Sequence, residues 1–179
     1  MRLIRWRLGH EIVRAAAVVA AIGLVAGCAS TTGTSGAASR AVTRTLLNPQ
    51  WLGAPPTDFT QTIAVSGGQT VYVSAQTAWD PNQNAVVGPG DFSAQAARAF
   101  ERLKVAVEAA NASLADVVRL TIYVKDYRPE HLNVLRNVIT RNFPPGAPPT
   151  RTIVGVQTLE RDGLLIAVDA IAVNDVPTR

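Results

Sequence analysis

The sequence predicts an α+β domain: a mixed β-sheet with two helices packed on one face, in the order ββαβαββ. Three observations predict it. Five short runs are rich in Val, Ile, Thr and Tyr, the residues that suit a pleated surface. Two longer stretches place apolar residues three and four apart, which makes one helical face apolar. Gly, Pro, Asn and Asp clusters separate the runs and mark turns. Strands interleaved with two amphipathic helices give a two-layer arrangement.

The elements follow in chain order. Thr62-Ile63-Ala64-Val65 reads as a strand, Ser66-Gly67-Gly68-Gln69 as a turn, and Thr70 to Ala75 as the partner strand of a hairpin. Asp80 to Asn84 and Gly88-Pro89-Gly90 are further turns. Asp91 or Ser93 caps a helix running to about Ala110, with Ala97, Phe100, Leu103, Val107 and Ala110 on its apolar face. Ser113 to Asp116 is a turn or short helical start, leading into the strand Val117 to Val124. Pro129 opens a second helix at its first position, with Leu132, Leu135, Val138 and Ile139 inward, ending near Asn142. Pro144-Pro145-Gly146 is a turn. Pro148 and Pro149 forbid a helix and lead into a strand that starts near Arg151. Arg161-Asp162-Gly163 turns into a last strand, Leu164 to Val173, whose single charge is Asp169. A strand with so little polar face predicts that the second side of the sheet is covered, so an oligomer is expected.

Residues 1–27 read as an address. Arg2, Arg5, Arg7 and Arg14 precede an apolar run, Ala15 to Ala26, which at about 12 residues is too short for a membrane span. Leu24-Val25-Ala26-Gly27-Cys28 resembles a bacterial lipobox, in which the signal is cut before the cysteine and that cysteine is lipidated. Cys28 is the only cysteine, and a thiol used once at this spot fits an anchor better than a disulfide or a nucleophile. Residues 28–47 are rich in Ser, Thr, Gly and Ala and read as a flexible tether of on the order of 20–25 Å. Residues 48–179 are the domain. The expected location is the cell envelope, lipid-anchored on the periplasmic side, in the outer membrane if the cell has one.

The leader holds four of the 17 basic residues and one of the 13 acidic ones, so the remainder carries 13 and 12. No basic stripe survives to argue for nucleic acid, and no aromatics stand beside basic residues for stacking on bases. His10 lies in the leader, which leaves His131 alone and no zinc site. No histidine is spaced to make a triad with Ser74. Trp79 reads as a packed turn aromatic rather than a cleft residue.

Several stretches line up in order: Val73-Ser74-Ala75-Gln76, Asp80-Pro81, Phe92 to Asn111, Asp116 to Asp126, Pro148-Pro149-Thr150-Arg151-Thr152, and Asp169-Ala170-Ile171-Ala172-Val173. Together they resemble the Rid family (YjgF-type, reactive-intermediate deaminases) over about Phe59 to Val173. The resemblance implies a chorismate-mutase-like fold, a homotrimer with a ligand cleft between adjacent subunits, no metal or organic cofactor, and hydrolysis of 2-imino or 2-enamino acids to 2-oxo acids and ammonia. Ribonuclease activity has also been tied to family members; the near-neutral charge of the domain gives it no support.

The resemblance assigns positions. Arg151 matches the arginine that pairs with the substrate carboxylate, a role suited to a planar fork of donors; composition alone favours a solvated or interface arginine with no ligand. Ser74 matches the serine of the strand motif, with Ala75 in place of the usual glycine. Asn133 falls near a helix asparagine close to the cleft, and Ile153 takes the place of a cysteine or similar small residue. Two departures bear on activity. Phe59 stands where active members tend to have tyrosine, and Ala167 where they tend to have the glutamate that orients the water. Asp169 lies on the same strand face as Ala167 by the period of two and matches the second acidic residue of the motif. Three readings remain: an imine deaminase, a module that binds small carboxylates without turnover, and a structural envelope lipoprotein.

Overall fold

The computed structural model describes residues 41–53 and 57–175. The leader, Cys28 and most of the tether lie outside them. Among the described residues no helix is long and apolar enough to cross a membrane.

Four strands form the main sheet: β3 (Gln69–Thr77), β6 (Val117–Lys125), β7 (Thr150–Val156) and β8 (Ile166–Asn174), in the order β3-β8-β6-β7. The β3–β8 and β8–β6 pairs are antiparallel and β6–β7 is parallel, so the sheet is mixed as expected. The helices α1 (Phe92–Glu108) and α2 (His131–Asn142) supply the other layer. Each βαβ connection of a parallel pair needs a crossover, and α2 provides it between β6 and β7.

The helix-side face of the sheet carries Val73, Leu120, Ile122, Val124, Ile166, Val168, Ala170 and Ala172, which pack with Ala96, Ala99, Phe100, Leu103 and Val107 of α1 and Leu135 and Ile139 of α2. Phe100 meets Phe143 edge-on, with centroids 6.3 Å apart. The α1 face differs from the expected one by a small rotation: Ala96 and Ala99 are buried and Ala97 is exposed. Phe100 and Leu103 fix the face, and the alanines one turn earlier follow them. Asp91 caps α1, its Oδ1 accepting from Ala94 N at 3.0 Å. Asn111 closes the helix end in the left-handed region at φ 55°. Before β6, Ser113 and Asp116 form a capping box around a single 3₁₀ turn. The second helix begins at His131, two residues later than the Pro129 start, because Arg128 to His131 first make a tight turn with His131 N donating to Arg128 O at 3.0 Å.

Two expectations about strands are corrected. The stretch Thr43–Leu47, assigned to the tether, is a strand, β1, antiparallel to β2 (Thr62–Ser66). Consequently β2 and β3 do not form the expected hairpin ladder: β2 pairs with β1 in a separate two-stranded ribbon and β3 pairs with β8. Arg44 anchors the ribbon to the sheet by donating to Asp116 Oδ1 at 2.7 Å and to the Val173 carbonyl. The turn at 80–84 lies within a small hairpin of β4 (Trp79–Asp80) and β5 (Ala85–Val86). There Arg161 stacks over the Trp79 ring at 4.3 Å, so Trp79 is a packed turn aromatic, as expected.

Candidate functional site

Arg151 stands second in β7, opposite Leu120 in the β6–β7 register. Its neighbours in that row face the helices, so its side chain leaves the sheet edge on the buried side. It is 8% exposed. Nη1 donates to Asp58 Oδ2, and Asp58 is 3% exposed. Arg136 of α2 brings its Nε to 3.7 Å of the same oxygen while remaining 50% exposed. The Phe59 ring covers the guanidinium, with Cζ 4.9 Å from the ring centroid. Two arginines thus share one carboxylate, and the cluster keeps a net positive charge.

The segment carrying Asp58 and Phe59 is tied to the start of β7. Thr60 N donates to Pro149 O at 3.1 Å, and Thr60 Oγ1 donates to Pro148 O at 2.6 Å. Thr60 thus satisfies the two carbonyls that directly precede the first residue of β7. Thr150 Oγ1 in turn donates to Val118 O at 2.9 Å. Between this segment and β7 lies a cavity of about 400 Å³, with Phe59, Thr60, Arg119, Thr150 and Arg151 in its wall. A basic wall, a flat aromatic and threonine hydroxyls suit a small anionic, planar molecule.

The remaining expected site residues are distributed elsewhere in the protomer. Ser74 lines a second cavity, of about 510 Å³, on the open face of the sheet with Tyr72, Thr121, Asp169 and Ile171. Arg119 borders both cavities, the one residue common to the two walls among the described residues. Ala167 is buried in β8 between Thr77 and Tyr123. Ile153 packs against the core. Asn133 is exposed on α2. Within one protomer, Arg151 and Phe59 therefore come together, and Ser74, Asn133 and Ala167 do not join them.

Asp169 accepts from Tyr123 OH at 3.2 Å. Its negative charge, with burial and this hydrogen bond, raises the Tyr123 phenol above its ordinary value, against a smaller opposing pull from Arg119. No group of His, Cys, Asp or Glu among the described residues is placed to hold a metal ion.

Sequence reasoning missed Asp58, Arg136 and Arg119. Asp58 lies 93 residues from Arg151 along the chain, two residues after Pro56 and outside every element read from the sequence. The one available signal was its position directly before Phe59, a residue the resemblance had already placed beside the cleft.

The chain is thus a two-layer α+β domain with an arginine-walled cavity at a sheet edge. The family profile described as Endoribonuclease L-PSP matches residues 53–174, and the chain belongs to that family, the Rid/YjgF family. Protein DfrA of Myxococcus xanthus is 36% identical over 116 residues, covering 65% of this chain and 85% of that protein. The 2-iminobutanoate/2-iminopropanoate deaminase of Dermatophagoides farinae is 30% identical over 112 residues, covering 62% and 82%. Among solved structures, the Rid-family protein YyfB from Yersinia pestis matches with a TM-score of 0.67 at 31% identity, over 73% of this chain and 98% of that one. RidA from the Antarctic bacterium Psychrobacter matches with a TM-score of 0.52 at 33% identity, over 64% and 86%. The fold is the chorismate-mutase-like fold of this family.

Proposed function

We propose that the domain acts on small 2-imino or 2-enamino acids, hydrolysing them to 2-oxo acids and ammonia, with the substrate carboxylate held by Arg151. The observation that carries this reading is a guanidinium fixed at a strand start, backed by Phe59, in the wall of a cavity sized for a small acid. Relatives named 2-iminobutanoate/2-iminopropanoate deaminase support the substrate class. In the reaction, water adds to the imine carbon and a proton passes to nitrogen. The C–N bond then breaks with its electron pair leaving on nitrogen as ammonia, and the C=O bond forms. Arg151 contributes by fixing the plane of the substrate through its carboxylate.

Binding of small carboxylates without turnover is the second reading. Ala167 favours it, because a methyl group stands where a carboxylate would orient the water, and Phe59, because it lacks a hydroxyl. Asp58 does not fill that role: Arg151 holds it as a hydrogen-bond acceptor, with the Arg136 charge 3.7 Å away. One assay separates the two. Imines generated in situ by an amino-acid oxidase are supplied to the wild type and to Arg151→Ala. Faster ammonia release by the wild type supports the enzyme; identical rates for both proteins and buffer refute turnover and leave the binding and structural readings.

The same proposal includes a homotrimer that covers the open sheet face, where Tyr72 is 79% exposed beside Thr121 and Ile171. A sedimentation mass of one chain would refute it. It also includes a lipid anchor at Cys28 that holds the domain at the periplasmic side of the envelope. Cys28→Ser should release the protein from membranes, and membrane retention of that variant would refute the anchor.

A further inference from the structure

Arg151 already holds a carboxylate, and it belongs to the chain itself. Asp58 is nine-tenths buried and more, faces the guanidinium, and is approached on the same oxygen by Arg136. Only one terminal nitrogen of Arg151 is engaged in this pair, and the cavity opens beside the rest of the side chain. A planar guanidinium meets a free carboxylate best with two parallel N–H donors. With Nη1 on Asp58, an incoming acid meets a partly occupied fork and a carboxylate of its own charge.

We propose that Asp58 is a specificity-determining residue of this cleft: an internal carboxylate that occupies Arg151 and must yield to the ligand, with Arg136 taking the released acid. This inference rests on the reading of Arg151 as the ligand anchor. Arg136 is suited to the handover because it is half exposed and already 3.7 Å from Asp58 Oδ2, so a small side-chain shift exchanges one cation for the other. The arrangement makes the affinity for a small carboxylate equal to its intrinsic value reduced by the fraction of molecules in which Arg151 is free. Weakly competing acids are excluded, and a ligand with further contacts in the cavity, to Arg119 or the threonines, is favoured.

Calorimetric titration of sodium 2-oxobutanoate into the full chain tests the inference with four proteins: wild type, Asp58→Asn, Arg136→Gln and Arg151→Ala. If Arg151 is free in about one molecule in ten, Asp58→Asn binds roughly tenfold more tightly. Arg136→Gln binds about threefold more weakly, because Asp58 has lost its second partner. Arg136 is half exposed, so this variant tests the handover even if Asp58→Asn folds poorly. Wild-type binding that Asp58→Asn weakens or leaves unchanged, or that Arg136→Gln fails to weaken, overturns the role of Asp58 and leaves the anchor intact. Equal binding by wild type and Arg151→Ala, or none by any of the four, overturns the anchor and this inference with it.

Discussion

Asp58→Ala is the most informative stability variant. In the wild type Asp58 and Arg151 are 3% and 8% exposed, so both charges have left water. Removing the acid leaves the Arg151 guanidinium buried, with the Phe59 ring 4.9 Å away as its remaining contact of this kind among the described residues. Cation–π contact contributes about 0.5–2 kcal/mol, whereas breaking a buried pair costs about 3–5 kcal/mol. A net loss of roughly 3 kcal/mol is expected, and for a domain of this size that lowers Tm by about 10 °C. Arg136→Ala, at a half-exposed cation, should cost about 1 kcal/mol or less. The double variant Asp58→Ala/Arg151→Ala removes both charges, so its cost should fall short of the sum of the single costs by about 2 kcal/mol. Urea denaturation followed by circular dichroism gives all four values. A cost for Asp58→Ala below about 1 kcal/mol, or strict additivity in the double variant, would refute the buried pair as the element that sets this site.

Gln95 is fully buried, with its Nε2 donating to Gly163 O at 2.8 Å and Gly88 O at 3.2 Å, and its Oε1 accepting from Leu165 N at 2.8 Å. Gln95→Ala leaves these backbone groups unpaired and should cost about 3 kcal/mol by urea denaturation; a cost under about 1 kcal/mol would show that water replaces the amide. Gly68 has φ +76°, and a Cβ there would collide with the Val42 side chain and lie 2.6 Å from the Asn174 carbonyl oxygen. Gly68→Ala should therefore destabilise by about 2 kcal/mol and loosen the β1–β2 ribbon, measured as faster amide exchange at Thr43–Leu47. Tyr123 holds its proton more tightly when folded, so this phenol contributes stability in full below its unfolded value of about 10 and loses it as pH rises through the higher folded value. Ultraviolet titration should show one late tyrosine that Tyr123→Phe removes and Asp169→Asn brings earlier; an unmoved titration in Asp169→Asn would remove the Asp169 charge as the cause.

The parts of the fold legible in the sequence are those in which period and burial coincide. In β6, Leu120, Ile122 and Val124 alternate with less buried residues, and α1 repeats Phe100, Leu103 and Val107. Ribbon strand β1 was not legible, because Thr43–Leu47 shows no strand of alternating burial and follows a Ser/Thr/Ala stretch. The Gly67-Gly68 turn is real, with φ of 76° at both residues, but a turn does not decide which strands bond, and the partner of β2 came from upstream. At the site, Arg151 was legible because Pro148 and Pro149 announce the start of its strand. Asp58 was not, because its partner is distant in sequence and a single acid beside prolines has no pattern. The period-two rule placed Asp169 on the same strand face as Ala167; in the structure Ala167 is opposite Tyr123 in the ladder, and Asp169 accepts from the Tyr123 hydroxyl.

The most direct test of the arginine as a carboxylate anchor compares two probes of one shape. Binding of 2-oxobutanoate and of its neutral amide is measured with wild type, Arg151→Lys and Arg151→Ala. The predicted result is a loss of about 10–100-fold for the acid in Arg151→Ala, from about 1.5–3 kcal/mol for a charge-assisted hydrogen bond, an intermediate loss in Arg151→Lys, and little change for the amide. Equal binding of the acid by all three proteins would contradict the account.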